Sequence, residues 1–249
     1  MSRERHERHL ERLAKSGKVG TAPIPAATVI LIRDGGEGLE TLMLRKNSKI
    51  AFGGMWVFPG GRVDDADRDA LLTASSEHPL DEDQSHAAAQ HAAVREAREE
   101  TGLEILCQDL VTYSHWVPPP ITPRRFLTWF FLAPAPSGKV VIDQGEIREH
   151  AWMRPAEALQ RRGALEIELV PPTFVTLHEL CSWPTVERAL EAVAARPAER
   201  FQTRIAVCDS GPVAMWHGDV AWPEGDVMAP GPRHRLWMRD DGWLYERFS

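Results

Sequence analysis

The stretch that most constrains this chain is SHAAAQHAAVREAREETG, residues 85–102. Alanine and the straight-chain residues that fill it are the strongest helix formers, and Gly102 supplies the expected C-terminal stop. The run therefore predicts a helix starting at Ser85. Glu96, Glu99 and Glu100 lie at i, i+3 and i+4, so their three carboxylates share one helix face. Like charges at that spacing oppose the helix by a few tenths of a kcal/mol per pair, roughly, and the last turn is where the helix dipole disfavours anions. A cation held between them reverses that penalty. Clustered hard oxygen donors with no His or Cys beside them suit Mg²⁺ or Mn²⁺ and not zinc. The spacing leaves a second reading open, a solvated helix whose Arg95 and Arg98 neutralise the glutamates.

Around this helix the sequence reads as a mixed α/β chain. Residues 27–34 and 39–46 are rich in aliphatic and β-branched side chains and flank Gly35-Gly36-Glu37-Gly38, a hairpin signal. A short apolar run, Met55–Phe58, is closed by Pro59-Gly60-Gly61, and residues 68–84 have no clean period and read as a surface insertion. Further strands are expected at 104–114, 125–133 and 149–153, with a helix at 155–162 opened by Pro155. That mixture argues for a mixed sheet with helices on both faces. From about residue 166 the character changes, to two Pro-Thr-opened helices and then strand pairs, the second turning at Asp241-Gly242. The expected organisation is a charged N-terminal arm (1–20), a main domain (21–165) and a C-terminal helical and β-hairpin extension (166–249) packed on it.

Composition excludes several classes. Of the 249 residues 29 are Lys or Arg and 36 are Asp or Glu, a formal net charge of −7, which argues against a nucleic-acid wrapper. Cys107, Cys181 and Cys208 are odd in number and far apart, so neither a disulfide framework nor a zinc ribbon is expected. No apolar run approaches the ~20 residues of a membrane span, and the charged start lacks a signal peptide's apolar core. A reducing, cytoplasmic location follows as the expectation. His86 and His91 are five apart and share no helix face, so no histidine is assigned to a metal.

Taken with FPGG at 58–61, the helix resembles the Nudix box, G-x5-E-x7-R-E-U-x-E-E-x-G-U with U aliphatic. The second half matches at Arg95, Glu96, Ala97, Glu99, Glu100, Gly102 and Leu103, and the opening glycine matches Gly61. The middle departs. Asp67 stands where the pattern has glutamate, and 27 residues separate it from Arg95 where the pattern has seven. A similar broken box occurs in the branch resembling mammalian coenzyme A diphosphatases, and HWVPPPITPRRFLTWFF (115–131) and VPPTFVTLHEL (170–180) look like that branch. The resemblance covers roughly residues 25–182. One departure is Ile50, with Lys49 beside it, where the coenzyme A signature has arginine.

The resemblance implies an α/β/α sandwich that hydrolyses a diphosphate linkage in a nucleoside-diphosphate-X compound. Glu99 and Glu100 would be the main Mg²⁺ or Mn²⁺ ligands, with the Gly60 carbonyl. Glu96 would hold a second ion or accept a proton from the attacking water, oriented by Arg95. Gly61, Gly102 and Asp67 would be structural members of the box. A later-loop glutamate often completes such sites, and Glu146 and Glu149 are both candidates. Arg124, Arg125 and Arg45, with Lys46, are candidate phosphate holders or plain strand-end charges. Trp116, Trp129 and Trp152 read as core; Trp222, Trp237 and Trp243 read as packing or a dimer contact, with base stacking as the alternative. Coenzyme A or acyl-coenzyme A is the leading substrate class, and ADP-ribose, NADH or a nucleotide sugar are the alternatives, as is a Nudix-fold module that binds without turnover. A homodimer is a further expectation.

Overall fold

The computed structural model describes residues 22–47, 53–69, 82–122, 124–239 and 241–248. The expected N-terminal arm, positions 49 and 50, and most of the insertion lie outside them. The chain divides into two compact units, one of Ile24–His115 with Thr128–Glu199, the other built around Trp116–Leu127 and Arg200–Ser249.

In the first unit the expected hairpin forms from β1 (Ile24–Gly35) and β2 (Gly38–Lys46), joined by two residues with Gly35 opposite Gly38. Gly38 has φ +115°, a left-handed value that glycine adopts freely. Both alternating faces of β1 are covered, since Val29 and Leu31 on one and Ile30 and Ile32 on the other are all fully buried. This is the pattern of a sheet packed on both sides. Strands β3 (Trp56–Val57), β5 (Val111–Val117) and β6 (Phe126–Pro134) complete the order β3-β2-β1-β6-β5, while β4 (Gly60–Arg62) pairs with β1 and β7 (Ile147–Met153) with β2.

A short helix α1 (Asp65–Asp69) precedes the long α2 (Glu82–Thr101), which begins three residues before the predicted Ser85. Ala88, Ala89, Ala92, Ala93 and Ala97 form its buried stripe against Ala27, Val29, Leu31, Leu42, Leu44 and Phe131. Side chains this small let the helix lie close on the sheet. Then α3 (Pro155–Gly163), α4 (Pro171–Leu180) and α5 (Val186–Ala194) follow. Both α4 and α5 lie in this first unit. α4 packs on α3 and α5 on β1, and Asp34 at the end of β1 accepts the first N–H of α5, from Val186 at 2.9 Å.

The predicted strand at 104–114 is corrected. A 3₁₀ turn, Cys107–Asp109, comes first and β5 begins only at Val111. Leu103 and Ile105 are buried beside the alanine stripe while Leu106 is exposed, an alternation that imitates a strand. FPGG is more than a turn, because its glycines enter β4. The second unit carries the expected strand pairs as an antiparallel sheet of β9 (Arg204–Cys208), β10 (Gly211–Met215), β11 (Arg233–Arg239) and β12 (Gly242–Phe248). An additional short strand, β8 (Glu199–Gln202), precedes them. The Trp116 ring stacks on Phe201 at 4.0 Å between centroids, with Trp216 edge-on to both, and Trp237 lies in the core of the sheet.

Candidate active site

The carboxylate face of α2 lies against β4, and glycine is what permits the approach. Gly60 pairs with Thr28 of β1 at φ +157°, and a Cβ there would stand 2.3 Å from the Ala27 carbonyl oxygen. At Gly61 a Cβ would fall 2.2 Å from Glu96 Oε1 and 2.7 Å from Oε2. The Glu96 carboxylate thus occupies the space a side chain on Gly61 would take, leaving it only 15% exposed. Burial is the main cause that lifts Glu96 to about 7, against the opposing pull of Arg95 and with help from Glu100 and Glu99.

Arg95 organises this surface. Its Nε and Nη2 donate to the two oxygens of Asp67 at 3.1 and 2.9 Å. Nη1 donates to Glu96 at 2.9 Å and to Glu99 at 3.0 Å, and Nη2 also reaches the Arg62 carbonyl at 2.9 Å. The Asp67 hydrogen bonds, ahead of the other contacts, hold the guanidinium above its ordinary range. Asp67 is 5% exposed and also accepts the Asp64 N–H at 2.9 Å. The aspartate on the near side of the insertion therefore grips the arginine on the far side in the fork-to-fork manner of a planar guanidinium.

Glu100 is held separately. Gly60 N–H donates to its Oε2 at 2.9 Å, and the Lys46 ammonium pairs with its Oε1. Burial raises its pKa more than Lys46 and Gly60 lower it. Lys46 also lies 3.7 Å from Glu146. The loop carrying Glu146 is docked on the end of α2. Val141 N–H donates to the Thr101 carbonyl at 2.8 Å, over Gly102, which ends the helix at φ +67° with Val141 Cβ 3.3 Å from where its own Cβ would be. Asp143 then accepts the N–H groups of Gly145 and Glu146.

Of the two later glutamates the structure thus brings Glu146 towards the box. Glu149 sits opposite Arg45 across β2 and β7 and pairs with it at 3.2 Å, both side chains about half exposed. Arg45 and Lys46 point to opposite faces of β2. Arg124 is exposed, and Arg125 is half-buried with Nη2 3.5 Å from the Pro118 carbonyl; both belong to the second unit. The pairing of Lys46 with Glu100 was not foreseen. Its signal was strand parity, since Lys46 shares a face with Leu42 and Leu44, which pack on α2. Among the described residues no three His, Cys, Asp or Glu side chains converge on one point, because Glu99 leans to Arg95 and Glu100 to Lys46.

Residues 22–174, more than half of the chain, match the NUDIX domain family. An acyl-coenzyme A diphosphatase of Xenopus laevis is 31% identical over a 123-residue alignment that covers 46% of this chain but only 32% of that protein. A NUDIX hydrolase from Alicyclobacillus acidocaldarius has a crystal structure similar to this one at a TM-score of 0.60 and 24% identity, covering 71% of this chain and 99% of that one.

Proposed function

From the premise that this chain belongs to the Nudix family and is a Nudix hydrolase, we propose that it cleaves a diphosphate linkage in a nucleoside-diphosphate-X compound with the help of a divalent ion, and that its substrate is of the coenzyme A class. The observation that carries the metal dependence is the excess of carboxylate on this face: Asp67, Glu96, Glu99, Glu100 and Glu146 share the two cations Arg95 and Lys46. Burial adds to that strain, lifting Glu96 and Glu100, and hard oxygen donors of this kind fit Mg²⁺ or Mn²⁺. Glu99 and Glu100 with the Gly60 carbonyl would hold the ion, Glu99 turning from Arg95 to do so. When bound, such an ion neutralises the diphosphate and makes a bound water a stronger acid.

The chain's own groups supply the rest. Glu96, held near neutral pH and fixed by Arg95 at 2.9 Å, is suited to accept a proton from water. Asp67 is a positioning residue, because it fixes the guanidinium that fixes Glu96. Glu146 is our choice over Glu149 for the later-loop carboxylate, on the strength of its proximity to Lys46. Arg124 and Arg125 are proposed to meet substrate phosphate. The coenzyme A class is supported by the Xenopus laevis relative. A homodimer is part of the same proposal.

The test is product release from coenzyme A, acetyl-coenzyme A, ADP-ribose, NADH, UDP-glucose and 8-oxo-dGTP, each with Mg²⁺, Mn²⁺ or EDTA, beside Glu99→Gln. Cleavage of the coenzyme A compounds that needs metal and is lost in the variant is expected. A better turnover of ADP-ribose, NADH or UDP-glucose would overturn the substrate class alone. EDTA-resistant cleavage, or full activity in Glu99→Gln, would overturn the metal assignment. Tight binding without product across the panel would make the chain a binding module.

A further inference from the structure

Lys46 ends β2 on the face whose Leu42 and Leu44 pack on α2. Strand parity brings its ammonium to Glu100, and the pair is almost dry, with side chains 10% and 4% exposed. Both oxygens of Glu100 are then engaged, Oε1 by Lys46 and Oε2 by the Gly60 N–H. A divalent ion ligated by Glu100 would meet a full positive charge on the same carboxylate, in surroundings that screen it weakly. An ammonium on a flexible four-carbon stem is able to leave. A second acceptor is within reach, since Glu146 Oε2 is 3.7 Å from Nζ on a side chain that is 60% exposed.

Resting on the metal-dependent reading above, we infer that Lys46 is a tethered counter-ion that competes with the divalent cation for Glu100. In the metal-free chain it neutralises the most buried of the three glutamates. When the ion binds, Lys46 must give up that carboxylate. Its presence therefore stabilises the empty site and weakens metal binding below what the carboxylates alone would give.

The experiment uses the full chain stripped of metal, in four forms: wild type, Lys46→Met, Lys46→Gln and Glu99→Gln. Mn²⁺ is titrated by calorimetry and by electron paramagnetic resonance, and each form is melted with and without Mn²⁺. Lys46→Met is expected to bind Mn²⁺ about tenfold tighter than wild type. Without metal it should melt at a lower temperature, and Mn²⁺ should raise its midpoint by more than it raises the wild type's. Lys46→Gln keeps an N–H donor for Glu100 without the charge, so it carries the same expectation should the methionine variant fold poorly. Unchanged or weaker Mn²⁺ affinity in a folded Lys46 variant, with wild-type binding abolished by Glu99→Gln, would overturn the counter-ion inference and leave the metal-dependent reading standing. A wild type that binds no Mn²⁺ would overturn both.

Discussion

Gly61→Ala separates the placement of Glu96 from its chemistry, because it leaves every charged group in place. The backbone of Gly61 is not in the left-handed region, so alanine strains nothing there. The added methyl would stand 2.2 to 2.7 Å from the Glu96 carboxylate, where ordinary contact begins at 3.4 Å. The carboxylate must therefore retreat by about 1 Å, a misplacement that costs on the order of 10²-fold in rate at a reacting centre. The same retreat stretches the 2.9 Å hydrogen bond from Arg95, a charge-assisted contact worth about 1.5–3 kcal/mol. Turnover of the substrate found in the panel should fall about 100-fold, while the melting midpoint moves by only a few degrees because Glu96 gains solvent as it loses Arg95. Combining Gly61→Ala with Glu96→Gln should cost little beyond Glu96→Gln alone, since both act through one carboxylate. Near-wild-type turnover in Gly61→Ala, or fully additive losses in the double variant, would refute the reasoning.

Two other outcomes follow from the same cluster. Asp67→Asn removes one side of the two-point grip on Arg95 and leaves that guanidinium without its main buried anion, so urea unfolding should show a loss of about 1–3 kcal/mol and turnover should drop although Asp67 meets no substrate; unchanged values in both would remove its positioning role. In metal-free protein Glu96 titrates at about 7 when folded against an ordinary 4.5, so the folded state holds its proton more tightly and its ionisation costs stability as pH rises from about 4.5 to about 7. The shift corresponds to about 3 kcal/mol, reduced to about 2 for a partly solvated group. Glu96→Gln should therefore gain on wild type steadily between pH 5 and pH 7 in EDTA, measured by urea unfolding, and a constant difference across that range would contradict the burial argument.

The parts of this molecule that were legible in the sequence are those written in local pattern. The β1–β2 hairpin followed from aliphatic runs on either side of a glycine turn, and α2 from its alanines and Gly102. The three glutamates of α2 followed from helical spacing alone. What escaped depends on contacts between distant residues. Pro59-Gly60-Gly61 reads locally as a turn, and becomes a strand only because Gly60 lets β1 come close. Lys46 meets Glu100 54 residues later, which no local pattern shows. The 3₁₀ turn at Cys107–Asp109 was hidden by the buried pair Leu103 and Ile105, which alternate as a strand would. Glu146 and Glu149 could not be told apart until the sheet placed one beside Lys46 and the other opposite Arg45.

The grip of Asp67 on Arg95 also bears on chain length. It acts as a clasp between α1, on the near side of the inserted stretch, and the second half of α2, on its far side. Lengthening a closed loop from seven residues to 27 costs only about 1 kcal/mol of chain entropy, which one two-point ion pair of this kind offsets. The length of that stretch is thereby uncoupled from the carboxylate face, and the chain can carry an insertion through the middle of its most demanding motif while the chemistry on either side stays in register.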